Sequence, residues 1–107
     1  MIEILKYVDS AGRAPFDRWL LRLPDGSARG AILIRLDRLA LGLVGDSRYG
    51  GGVLELRVHF GLGYRVYFAW EGPQRVVLLG GGSKSTQPAD IAAAKARLVR
   101  HREQSRH

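Results

Sequence analysis

The stretch VLELRVHFGLGYRVYFAWEGPQRVVLLG, residues 53–80, decides the fold. It holds three apolar-rich runs, 53–60, 64–70 and 75–80, separated by Gly61-Leu62-Gly63 and by Glu71-Gly72-Pro73-Gln74. Links this short suit β-hairpins, so the stretch predicts a three-stranded antiparallel meander. Alternation then assigns the faces. Leu54, Leu56, Val58 and Phe60 share one side of the first run, leaving Glu55, Arg57 and His59 on the other. In the second run Tyr64, Val66, Phe68 and Trp70 oppose Arg65 and Tyr67. Strands of one hairpin share a core face, so Glu55, Arg57, His59, Arg65 and Tyr67 are expected together on an exposed side.

Working outward, residues 1–8 (MIEILKYV) read as a short strand with Ile2, Ile4 or Leu5, and Tyr7 available for burial. Pro15 suits a first helical turn, and Phe16, Trp19, Leu20 and Leu23 follow at i, i+3, i+4 and i+7 up to Pro24. Ser27 is the expected N-cap of a second helix of about four turns, striped by Ala28, Ile32, Leu36, Leu39 and Leu43. The short link predicts an antiparallel helix hairpin. Residues 42–52 read as a glycine-rich loop, and Pro88 opens an alanine-rich last helix with Ile91, Ala94 and Leu98 inward. The expected fold is α+β: an N-terminal strand, a helix hairpin on one face of a mainly antiparallel sheet, the meander, and a C-terminal helix. At 107 residues, with no repeat and no long linker, residues 1–107 form one expected domain.

Composition narrows the partners. Seventeen basic residues, fourteen of them arginine, against ten acidic ones give a net charge of +7. Guanidinium forks suit phosphate and carboxylate, so nucleic acid or an acidic protein is favoured over a merely solvated basic surface. The absence of cysteine removes disulfides and thiolate metal sites, and no apolar run is long enough for a membrane span. The cytoplasm is the expected compartment, with no membrane partner.

LLGGGSKSTQPAD, residues 78–90, resembles a phosphate-binding loop but departs from the nucleotide pattern: Ser83 precedes Lys84, and Leu78 stands where the first glycine belongs. What remains is an expected flexible turn at Gly80-Gly81-Gly82 beside Lys84, suited to an anion. Lys84 would then hang over the face carrying Arg57, His59 and Arg65. Three cations around a histidine and a tyrosine suit phosphodiester chemistry, with charge stabilisation for the phosphorane and groups that move protons. An ordinary solvated sheet face with weak Glu–Arg pairs presents the same residues. Arg48 in the glycine-rich loop, and Ser83 and Ser85 beside Lys84, are further candidates for RNA contact. His59, His101 and His107 are scattered without an acidic ligand pattern, so neither a metal nor another cofactor is expected. Ser83 and Ser85 lack a nucleophile elbow and suit capping or phosphate contact better.

The phrases LELRVHFGLGYRVYF (54–68), LLGGGSKSTQPADIAAAKA (78–96) and AILIRLDRLALG (31–42), in this element order, resemble the RelE/ParE superfamily of bacterial toxins. The nearest likeness is to its phage and HigB-like branch of addiction-module killer proteins. The likeness implies a RelE-like fold and a type II toxin held silent by a cognate antitoxin, often a helix-turn-helix protein, in a hetero-oligomer. It implies metal-independent cleavage of mRNA in the ribosomal A site, or, for ParE-like members, poisoning of DNA gyrase. It places Arg65 on the arginine that contacts the scissile phosphate, with Arg57 and Lys84 at neighbouring basic positions. Two positions depart from the pattern. Glu55 stands where RelE-like enzymes carry a lysine, and Asp90 falls near their C-terminal tyrosine. Both are proton-handling positions, which leaves His59, Glu55, Asp90 and Tyr67 as the candidates for proton transfer.

Overall fold

Alternating apolar residues in the second half of the chain build a sheet, and every helix packs against it. A computed structural model describes residues 1–44 and 47–105, with the backbone alone for residues 47 and 48. The strands are β1 (Glu3–Lys6), β2 (Ser47–Tyr49), β3 (Val53–Val58), β4 (Tyr64–Trp70) and β5 (Arg75–Ser83). The helices are α1 (Pro15–Arg22), α2 (Gly26–Ala40) and α3 (Gln87–Gln104). The sheet order is β1-β5-β4-β3-β2, with β1 parallel to β5 and the other neighbours antiparallel. The α+β class and the meander are as the alternation predicts. The expected loop at 42–52 instead contains β2 and a 3-10 turn at Gly50–Gly52.

Helix boundaries follow local chemistry. Pro15 opens α1, where its missing N–H costs no hydrogen bond. The α2 cap is Asp25, not Ser27: the Asp25 carboxylate accepts from the Ser27 N–H at 2.8 Å. Both helices bury their apolar stripes on one sheet face, where Phe16, Ile32, Leu36 and Leu39 meet Leu56, Val58, Val66 and Phe68. Each such buried side chain stabilises by about 1.5–3 kcal/mol relative to exposure.

The opposite face is where the expectation fails. Most of it is covered by α3 rather than open to solvent, and Tyr7, Val53, Tyr67, Ala69, Val77, Leu79, Ala94 and Leu98 form a second core there. The sheet therefore lies between two helical layers.

The glycine triplet is not a flexible turn either. Gly80, Gly81 and Gly82 lie inside β5, opposite Tyr67, Val66 and Arg65. A bulge between Tyr67 and Phe68 leaves Leu79 without a partner on β4 and lets Gly80 adopt a φ of 151°. Side chains on these glycines would collide with the helices. A Cβ on Gly81 would stand 2.3 Å from the Trp19 ring, and one on Gly82 would stand 1.8 Å from an Asp90 carboxylate oxygen. Three glycines let α1 and α3 close on either side of one strand.

Candidate functional site at the end of the sheet

The β3–β4 register places Arg57 directly opposite Arg65 and Glu55 opposite Tyr67. Two arginines in register repel, and a carboxylate two residues away on the same face offsets this. Glu55 fills that role. Its side chain is 0% exposed; Oε1 lies 2.8 Å from Arg65 Nε, and Oε2 accepts from Arg57 Nε at 3.1 Å. Arg65 Nε is off the hydrogen-bond axis, so that contact is ionic. From the first turn of α3, Gln87 Nε2 donates to Glu55 Oε1 at 2.9 Å and to Tyr49 Oη at 2.8 Å. Glu55 thus organises the site and is shielded from solvent. Strand alternation alone leaves both arginines open to solvent, but Arg65 is only 13% exposed at its side chain, while Arg57 keeps 44%.

Tyr67 is fully buried, and its hydroxyl has no hydrogen-bond partner among the described residues. Burial first, then the charge of Glu55, pushes its phenol pKa well above the usual value, so the ring stays neutral. Asp90 Oδ2 accepts a short hydrogen bond from Thr86 Oγ1. Of the four proton-transfer candidates, these three are buried or already engaged.

Across the same end of the sheet, Gly82 faces Arg65 and Ser83 faces Tyr64, so the chain leaves β5 beside the arginines. Lys84, Ser85 and Thr86 follow in an exposed 3-10 turn. Ser83 Oγ and Ser85 Oγ are 2.9 Å apart, and the Ser83 N–H donates to Thr86 Oγ1 at 3.3 Å. The hydroxyls brace the turn that carries Lys84.

His59 lies just past the end of β3 and is exposed. It lines a recess of about 260 Å³ with Arg57 and with Arg35, Arg38 and Ile34 of α2. Arg57 therefore borders both His59 and the Glu55 network, whereas His59 takes no part in that network's contacts. The side chain of Arg48 lies outside the described residues. Among those described, no three His, Cys, Asp or Glu side chains cluster as a metal would require. No helix among them is long and apolar enough to cross a membrane.

The chain is 44% identical to an uncharacterized protein of Haemophilus influenzae over 81 residues, 75% of this chain and 82% of that one. The two belong to one family. No protein-family model matches the chain. Sequence reasoning missed Gln87 and Tyr49, which join the network from residues distant in sequence. Their signal was weak: a glutamine beside a helix start reads as an ordinary first-turn residue.

Proposed function

We propose that the protein is the toxin of a type II toxin–antitoxin pair, acting in the cytoplasm on ribosome-bound mRNA as a metal-independent endonuclease with a RelE-like fold. The supporting observation is the row of cations across three strands: Arg57 opposite Arg65, then Lys84 where the chain leaves β5. An RNA phosphate at this end would meet preorganised positive charge. The 2′-hydroxyl attacks the adjacent phosphorus, the bond to the 5′-oxygen breaks, and Arg57, Arg65 and Lys84 stabilise the charge that grows on the phosphoryl oxygens. His59 is left to take the proton of the 2′-hydroxyl and deliver it to the departing 5′-oxygen, since Glu55, Tyr67 and Asp90 are engaged or buried. The cognate antitoxin covers the exposed apolar residues Leu33 and Ile34 of α2, with acidic side chains against Arg35 and Arg38.

The same engagement of Glu55, Tyr67 and Asp90 favours a second reading, a non-cleaving binder such as a ParE-like gyrase poison. Induced expression, with separate readings of mRNA cleavage, translation and plasmid supercoiling, divides the two. Cleavage that falls about 10²–10⁴-fold in a folded His59→Ala protein is the expected result. Growth arrest with intact mRNA and altered supercoiling would overturn the nuclease reading in favour of the second.

A further inference from the structure

A second basic site lies away from the Glu55 network, in a cleft of about 420 Å³ between α1 and α3, with Gly81 in its lining. Arg18 and Arg22, four residues apart, come from one face of α1. Arg97 and Arg100, three apart, come from one face of α3. The four guanidiniums meet two carboxylates, and both carboxylates already accept hydrogen bonds from the chain. Asp9 Oδ1 accepts from the Ala11 and Arg13 N–H groups at 2.9 Å each, and Asp90 accepts from Thr86. Among the described residues, one arginine of the cleft bonds to the protein, Arg97 Nη1 donating to the Leu79 carbonyl at 3.0 Å. Two positive charges are left in excess, close to the charge of a phosphate monoester, about −1.5 to −2 at neutral pH.

The cleft is far larger than one phosphate group and lies within the range of small-ligand sites. Trp19 also lines it, its ring held over Gly81 and tilted against Phe16 and Tyr64 at centroid distances of 5.9 and 6.4 Å. An aromatic wall beside converging arginines suits a base joined to a phosphate. We infer that this cleft binds the phosphate monoester of a nucleotide, with Arg18, Arg22, Arg97 and Arg100 around the phosphate and Trp19 beside the base. The chemistry is shared by a free mononucleotide and by the 5′-phosphorylated end of an RNA. This inference stands on the cleft alone and does not require the toxin reading.

The test is titration calorimetry of the full chain with adenosine 5′-monophosphate, adenosine and inorganic phosphate. The nucleotide is expected to bind at least about tenfold more tightly than either part, and Arg18→Glu with Arg100→Glu to abolish that preference. Both arginines are exposed, so the melting temperature should hold; the single variants Arg22→Gln and Arg100→Ala keep the test readable if the double variant unfolds. Decaribonucleotides with a 5′-phosphate or a 5′-hydroxyl separate the sources. Arginine-dependent preference for the phosphorylated end identifies RNA, and its absence beside nucleotide binding identifies a free nucleotide. The inference is overturned if the nucleotide binds no better than adenosine or phosphate, or if its binding survives the arginine substitutions.

Discussion

Arg65→Ala would leave Glu55 with one arginine and a glutamine, in a place with no access to water. Removing one partner of a buried ion pair costs about 3–5 kcal/mol, because the remaining charge keeps its desolvation penalty. Urea unfolding of Arg65→Ala should show a loss of that size. The double variant Glu55→Met with Arg65→Met should recover part of it, since no buried carboxylate is then left behind. Equal losses in the single and double variants would show that the pair is not coupled. The consequence for function is direct: a growth test of Arg65→Ala reports on chemistry only when its melting curve matches the parent's.

At the scale of the element, β5 is held by what its glycines lack. Gly81→Ala would drive a methyl group into the Trp19 ring, and α1 would have to shift. Such overpacking costs about 1–3 kcal/mol. Gly30, inside α2, meets no heavy atom within 4 Å of an added Cβ, so Gly30→Ala should stabilise by up to about 1 kcal/mol through helix propensity. Thermal melts of the two variants should move in opposite directions. A Gly81→Ala protein as stable as the parent would show that α1 is not clamped to this strand.

The net charge of +7 belongs to the whole molecule and sets how binding responds to salt. If Arg57, Arg65 and Lys84 each neutralise one phosphate of single-stranded RNA, affinity should fall with a log–log salt slope of about −2. Fluorescence anisotropy between about 50 and 200 mM salt should then show a loss of roughly twentyfold, and Lys84→Ala should reduce the slope by about 0.7. Lys84 is the suitable probe because it is exposed and its removal leaves the Glu55 network intact. A slope unchanged by Lys84→Ala would remove that residue from the RNA contact.

Alternation is a local property, and local properties were legible. The meander, the apolar face of Leu54, Leu56, Val66 and Phe68, and the start of α1 at Pro15 all follow from residues close in sequence. So did the grouping of Glu55, Arg57, Arg65 and Tyr67 on one side of the sheet, but not that of His59, which lies past the end of β3 in a recess against α2. Whether that side met water depended on where α3 docked, a contact between residues more than thirty positions apart, and docking turned Glu55 from an exposed acid into a buried counterion. The glycine triplet was ambiguous for a related reason. Glycine marks a flexible turn and a close approach equally well, and only the positions of Trp19 and Asp90 show which applies. The i, i+4 and i, i+3 arginine pairs of α1 and α3 were likewise present in the sequence, but only tertiary packing faced them across one cleft.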